Sequence, residues 1–163
     1  MDSPEEKIKQ LGLTLPASPS PVANYVPSVR SGNLLFLSGA GPAQAEYISL
    51  SGTTYGVRLN GKLGRDLSVE EGYKVAWLVG VSLLARLKED LGDLGRVRRV
   101  VKLLAMVNST PEFTEHPAVV NGCSDLLIEV FGDRGRHARS AVGMSSLPFD
   151  IPVEIEMVVE VSP

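Results

Sequence analysis

Residues 153–161 read VEIEMVVEV, and this stretch decides the fold class. Every second residue is apolar, and the intervening positions are Glu154, Glu156, Val158 and Glu160. Strict alternation is typical of a β-strand with one buried face and one mostly acidic face. The stretch therefore predicts a closing strand in a sheet that has its core on one side.

Two amphipathic helices are predicted before this strand. Ser68-Val69-Glu70-Glu71 is a capping box, and apolar residues recur at helical spacing from there to Gly92. The same pattern runs through residues 117–130 and stops at Gly132. Between the helices, residues 97–107 are rich in Val and Leu and predict a strand.

A β-hairpin is predicted earlier in the chain. Residues 25–29 and 34–38 flank the turn-forming cluster Arg30-Ser31-Gly32-Asn33. Residues 43–64 are rich in Gly, Ser and Thr and indicate a weak strand or two in a long surface loop. The order is then β-β-α-β-α-β, which implies a two-layer α/β sandwich with both main helices on one sheet face. The other sheet face must be solvated or covered by other subunits.

The chain is expected to form one domain with an N-terminal extension. Its 163 residues are a usual length for a single domain. Ser3 and Glu6 form a capping box that starts a short helix, and residues 15–23 contain three prolines that require an extended connector. We therefore divide the chain into a helix and Pro-rich connector at 1–21 and a single domain at 22–163.

Composition excludes several classes of function. No segment approaches the roughly 20 continuous apolar residues of a membrane-spanning helix, and the acidic N-terminus does not resemble a secretory signal, so we expect a cytoplasmic protein. Cys123 is the single cysteine, which excludes an intrachain disulfide and a cysteine metal cage, and we expect it to be a small buried hydrophobe. The net charge of −3 disfavours general attraction to nucleic acid.

The candidate chemistry lies near the C-terminus. Arg139 precedes the tight Leu147-Pro148 loop, and Glu154 follows it. An arginine fork can grip a carboxylate through two hydrogen bonds, and a nearby glutamate can orient a water or hold a proton. The pair therefore suits a small carboxylate ligand. The alternative is a structural Arg139–Glu154 salt bridge between neighbouring strands.

Three stretches carry a family resemblance: ARSAVGMSSLP at 138–148, VEIEMVVEV, and SGNLLFLSGAGP at 31–42. Together they resemble the Rid (YjgF/YER057c/UK114) family, also called endoribonuclease L-PSP, over residues 22–161. The resemblance implies a chorismate-mutase-like fold of the bacillus type, a homotrimer, and ligand sites in clefts between subunits. It also implies hydrolysis of reactive 2-imino or enamino acids to 2-keto acids and ammonia, with no cofactor and no metal.

The resemblance assigns roles to individual residues. Arg139 would bind the substrate carboxylate, and Glu154 would hold the attacking water. The remaining cleft residues would be Tyr25 (in the pattern P-x-x-x-Y from Pro21), Gly39, Asn121 and Ala141. Backbone groups near Ala141 would hold the imine, so that catalysis relies mainly on positioning.

Two departures from the family pattern leave the substrate open. Ala141 stands where deaminase members often carry cysteine, and the segments 46–64 and 108–117 are longer than in compact members. Longer segments at these places predict a reshaped cleft.

Two other classes of function remain as alternatives. A trimer could bind or sense a small carboxylate through Arg139 without turnover. An RNA-binding, ribonuclease-like translation inhibitor would use two basic clusters, namely Arg96, Arg98 and Arg99, and Arg134, Arg136, His137 and Arg139. Neither cluster is interleaved with aromatic residues on which bases could stack, so nucleic acid is disfavoured. We expect His116 and His137 to be surface or loop residues.

Overall fold

The computed structural model describes residues 2–18, 23–45, 47–50 and 52–163. Helix α1 spans Pro4–Gln10, α2 spans Val69–Leu91 and α3 spans His116–Phe131. The strands are β1 (Ser28–Ser31), β2 (Leu34–Ala40), β3 (Tyr47–Leu50), β4 (Thr53–Gly56), β5 (Val97–Asn108), β6 (Ala138–Met144) and β7 (Val153–Val161). No helix within the described residues is both long and apolar enough to cross a membrane.

Five strands form the main sheet in the order β1-β2-β7-β5-β6. Strands β5 and β6 run parallel, and the other neighbouring pairs are antiparallel. Strands β3 and β4 form a separate hairpin within the predicted long loop. The two-layer α/β class is confirmed, although two strands follow the second main helix where the predicted order has one.

Both main helices cover the same face of the sheet. Helix α2 contacts β2 and β7, and α3 contacts β5 and β6. The two helices pack closely because Gly122 of α3 has no side chain: a Cβ there would overlap the carbonyl oxygen of Tyr73 and lie 2.9 Å from the backbone nitrogen of Trp77. Along β7 the residues Val153, Ile155, Met157 and Val159 are fully buried, as their alternation predicts.

The N-terminal helix docks onto the domain. The predicted capping box is present, with the Glu6 carboxylate accepting from the Ser3 backbone N–H at 2.6 Å. Ile8 is buried in the core, and the Glu5 carboxylate accepts from Lys88 Nζ at 2.9 Å. Residues 19–22 lie outside the described part of the chain, so the boundary at residue 21 stays a prediction.

The second face of the sheet, which we call the open face, is not covered by the residues that the structure describes. Val29 stands opposite Phe36, and Phe36 opposite Val158, so these apolar side chains share that face. Phe36 is 44% exposed and Val142 is 41% exposed. Glu154 and its neighbours on alternate positions of β7 lie on the same face, which is therefore apolar with an acidic strip.

Candidate functional site

Arg139 lies on the edge strand β6 and points toward α3. Its Nη1 donates to Ser124 Oγ at 3.0 Å, and its Nη2 donates to the Pro117 carbonyl at 3.1 Å. Asn121 is four residues after Pro117 and three before Ser124, so it occupies the same face of the helix. Helical spacing thus puts the exposed Asn121 on the face of α3 that Arg139 contacts.

A chain of hydrogen bonds holds the guanidinium of Arg139. His137 Nδ1 lies 2.6 Å from the Gly135 carbonyl, which can only accept, so Nδ1 carries the proton. Burial lowers the pKa of His137 below its ordinary value of 6.5, and the charge of Arg139 lowers it further. The neutral ring therefore accepts at Nε2 from the Ser124 hydroxyl, 3.0 Å away. The Ser124 oxygen then keeps a lone pair for Arg139.

Sequence reasoning missed the roles of Ser124 and His137. His137 is half-buried and positions Arg139 through Ser124, so it is not a simple surface residue. It lies two residues before Arg139, immediately before the edge strand β6, and this spacing, which favours side chains on one face, is the signal that could have identified it.

Ala141 is the third predicted site residue on the helix side of the sheet. It stands opposite Ala105 of β5 and packs against the core, on the same face of β6 as Arg139. We call Arg139, Asn121 and Ala141 the arginine half-site. Because β6 is an edge strand, some of its backbone N–H groups are left without a strand partner.

Glu154 lies on the open face, opposite Met106. Its carboxylate packs against Gly39: a Cβ on Gly39 would overlap Oε1 and lie 3.0 Å from Cδ. Burial, and to a smaller extent the Glu156 carboxylate, raises the pKa of the Glu154 carboxyl above its ordinary value. The carboxylate of Glu154 forms no hydrogen bond or ion pair with any residue that the structure describes.

Tyr25 is 50% exposed and directly precedes Val26, which contacts Ser38, the neighbour of Gly39 in the chain. The segment that carries it is held by Ser38, whose hydroxyl donates to the Val26 carbonyl at 2.8 Å and whose N–H donates to the Pro27 carbonyl at 3.0 Å. We call Tyr25, Gly39 and Glu154 the glutamate half-site. Pro21, which begins the P-x-x-x-Y pattern, lies outside the described residues.

The two half-sites do not meet within one chain. Strand β5 lies between β6 and β7, so these strands are separated by roughly 10 Å. Arg139 faces the helices and Glu154 faces the opposite side. The expectation that they lie on adjoining strands is wrong, and so is the alternative of a salt bridge between them, because β7 pairs with β5 and not with β6.

Several other sequence expectations concern reactive groups. Cys123 is fully buried, and burial raises the pKa of its thiol to about 12, so the prediction of a buried hydrophobe is confirmed. Among the described residues, His, Cys, Asp and Glu side chains form no group of three that could hold a metal ion.

The basic clusters are largely engaged in structural contacts. Arg134 Nη1 donates to the Val97 carbonyl at 2.7 Å, and Arg96 Nη1 donates to the Leu91 carbonyl at 3.3 Å. Arg136 pairs with Asp133 at 3.2 Å, and Arg99 stands opposite Glu160. Arg134, Arg96 and Arg136 are thus engaged within the chain, whereas Arg98 and Arg99 are exposed on β5.

Comparison with known proteins gives consistent matches over almost the whole chain. The model of the family described as "YjgF/chorismate_mutase-like, putative endoribonuclease" matches residues 5–160. The Trypanosoma cruzi protein TCP17 is 43% identical over 156 residues, which cover 95% of this chain and 92% of that protein.

Two solved structures extend the comparison. The Agrobacterium tumefaciens protein Atu1372, of unknown function, superimposes with a TM-score of 0.84 and 46% identity, covering 98% of this chain and 92% of its own. A putative endoribonuclease from Shewanella oneidensis superimposes with a TM-score of 0.87 and 31% identity, covering 98% and 100% of the two chains.

Proposed function

The chain belongs to the YjgF/chorismate-mutase-like family, and from this premise we propose that it hydrolyses reactive 2-imino or enamino acids to 2-keto acids and ammonia. The reaction would occur in clefts between the subunits of a homotrimer. Arg139 would bind the substrate carboxylate, and Glu154 of a neighbouring copy would hold the water.

The observation that carries this proposal is the separation of the two half-sites. Each chain has a cation with unused N–H groups at a sheet edge and an unpaired, half-buried carboxyl on the open face. A head-to-tail contact between copies would bring the edge of one against the open face of the next, and such contacts close into a ring when the rotation is right. The ring would also bury the exposed apolar residues of the open face.

The arginine half-site suits an acid in which a planar imine carbon lies next to the carboxylate. Arg139 is held in place by Ser124 and Pro117 and can still offer N–H groups to a carboxylate. Unpaired backbone N–H groups of β6 near Ala141 lie on the same strand and could receive the imine end. Positioning of this kind is the main requirement, since iminium carbons are already electrophilic.

Glu154 suits the proton transfers of the reaction. Water adds its oxygen to the carbon of the iminium form while Glu154 accepts one proton from that water, which gives a carbinolamine. Glu154 returns this proton to the nitrogen, the carbon–nitrogen bond breaks as ammonia leaves, and the hydroxyl proton passes to the ammonia as the keto C=O forms. A carboxyl with a raised pKa releases and recovers a proton closer to neutral pH than an ordinary one. The partial burial of Glu154 and, to a smaller extent, the charge of Glu156 both raise the pKa of this carboxyl.

The test measures ammonia and keto-acid release from enzymatically generated 2-iminopropanoate and 2-iminobutanoate, above the spontaneous background. We expect acceleration by the wild type and its loss in Arg139→Ala. Arg136→Ala is the matched control, because Arg136 is exposed and forms its ion pair with Asp133 on the neighbouring turn. If the wild type gives no acceleration, the proposal is contradicted. The arginine half-site would then be interpreted as a site that binds a carboxylate without turnover.

A further inference from the structure

A pocket that is separate from both half-sites lies beyond the ends of β5 and β6, beside the first turn of α3. Its volume is about 530 Å³, within the range of small-molecule sites. None of its lining residues belongs to either half-site. The residues used below are Lys62, Ser109, Phe113, His116, Gly143 and Met144, and we call the cavity the Lys62 pocket.

A hydroxyl–imidazole pair forms one wall. Ser109 Oγ and His116 Nε2 are 3.2 Å apart, so His116 is not a free surface side chain. Gly143 makes room for this pair, since a Cβ there would lie 2.5 Å from the imidazole nitrogen and 2.8 Å from the hydroxyl oxygen. The backbone of Gly143 does not have a positive φ, so its conformation does not require glycine. Glycine is needed here because a side chain would collide with Ser109 and His116.

Lys62 supplies an incompletely used ammonium group. Its Nζ donates to Asn108 Oδ1 at 2.5 Å and to the Ser145 carbonyl. An ammonium has three N–H donors, so one remains. Asn108 is fully buried and its Nδ2 donates to Gly61 O and Asp150 Oδ1, which fixes the amide that orients Lys62. Lys62 forms no ion pair with the residues described.

The rest of the pocket is mostly apolar. The rings of Phe113 and His116 meet edge to face, with centroids 5.2 Å apart. Pro111 and Met144 add apolar surface, and the other cation of the lining, Arg65, is neutralised by Asp66 at 2.8 Å. Donors at one wall and aromatic or thioether surface elsewhere suit a ligand with an anionic head and a flat apolar body.

From these contacts we propose that the Lys62 pocket binds a small organic anion, in which a carboxylate or phosphate head meets Lys62, Ser109 and His116 and an aromatic body packs against Phe113 and Met144. The proposal does not depend on imine hydrolysis. All the groups involved belong to one chain, so the pocket is complete without a neighbouring copy.

The test uses benzoate and phenyl phosphate as probes on the full-length protein, followed through the methyl NMR signal of Met144. That signal is assigned by Met144→Leu. We expect saturable shifts with one or both probes, weakened about tenfold or more by Lys62→Met because a charge-assisted hydrogen bond is lost. Lys9→Met is the matched control, since Lys9 is an exposed lysine of α1.

Two further variants guard against a simple folding defect. Gly143→Ala inserts a methyl group between Ser109 and His116 and should weaken binding, with thermal unfolding confirming that the variant is folded. Phe113→Leu leaves the Lys62 contacts intact and should weaken benzoate while leaving the weaker binding of acetate unchanged.

Each outcome bears on the proposal. Binding of benzoate alone identifies a carboxylate site, and binding of phenyl phosphate alone identifies a phosphate-ester site. Absence of saturable binding of both probes at millimolar concentration, or equal affinity in wild type and folded Lys62→Met, overturns it. Arg139→Ala should leave the Met144 response unchanged, so a failure of imine hydrolysis and a failure of this pocket are separable.

Discussion

Arg139 and Glu154 show how neighbouring side chains prepare a charged group for chemistry. Arg139 is oriented by Ser124, whose hydroxyl is itself oriented by neutral His137. Glu154 is packed against Gly39 and beside Glu156, which disfavours its ionised form. The contacts of Arg139 fix the direction of its guanidinium, and the surroundings of Glu154 raise the proton affinity of its carboxylate.

Glu154→Gln should reduce kcat by about 10²–10⁴-fold, because the amide cannot take a proton from water. Affinity for a small keto acid should change little, since Arg139 binds the carboxylate. Steady-state kinetics together with keto-acid titration would measure both effects. Equal losses in kcat and in affinity would argue against a role in holding the water.

Glu156→Gln is the matched variant for Glu154→Gln and also gives a pH prediction. Removing the like charge favours the ionised form of Glu154 and lowers its pKa. If ionised Glu154 accepts the proton, the acid limb of the kcat profile should move to lower pH, with kcat near neutral pH almost unchanged. An unmoved limb would show that another group controls it.

The buried His137 predicts a stability change with pH. Its pKa is lower in the folded state than the ordinary 6.5, so between those two values the unfolded chain binds a proton that the folded chain does not. Stability should therefore fall as the pH drops from about 7 toward 5. Urea unfolding of His137→Asn, which keeps a donor for the Gly135 carbonyl, should show a shallower fall. Identical slopes would contradict this assignment.

At the scale of elements, the helices and the hairpin follow from local signals. Ser68 and Glu71 cap α2, and Gly92 ends it in a left-handed conformation, as their positions in the sequence indicate. The hairpin is also present, but β1 begins at Ser28 and the turn narrows to Gly32 and Asn33. Its start differs because the preceding segment is held by Ser38 instead of pairing as a strand.

Packing of α2 against α3 gives a stability prediction. Gly122→Ala should lower the free energy of unfolding by about 1–3 kcal/mol or more, since the added Cβ meets the backbone of α2. Gly80→Ala is the matched variant: its Cβ meets the end of the Leu126 side chain at 2.9 Å, which can move. There the better helix propensity of alanine offsets the contact.

Chemical denaturation of both glycine variants would measure this difference. Equal destabilisation would mean that the Tyr73 and Trp77 backbone does not limit the approach of the helices.

At the scale of the whole molecule, the open face predicts self-association. Phe36 and Val142 expose apolar surface on the same sheet face as the unpaired Glu154. We expect light scattering to give the mass of a trimer, and Phe36→Glu to shift the mass toward the monomer because a charge would have to be buried. Lys9→Glu, on α1, should leave the mass unchanged. A monomeric wild type would remove the basis for a shared cleft.

The limits of prediction are clearest for Arg139 and Glu154. The sequence was enough to propose that Arg139 and Glu154 act on a carboxylate ligand, because the motifs around them resemble a known family. Their separation could not, since strand neighbours are set by pairing between distant segments. His137 and Ser124 were missed for the same reason: they are distant in sequence and meet only when α3 packs on β6.

By itself, the sequence determined the alternation of β7, the caps of α1 and α2, the two-layer class and the family, because each is carried by residues close together along the chain. Only the tertiary structure decided that β5 lies between β6 and β7, that Arg139 and Glu154 face opposite sides, and that Lys62, Ser109 and His116 surround one cavity. Periodicity acts over a few residues and specifies a face. Strand order and cavities depend on which faces meet, and that depends on the packing of the entire chain.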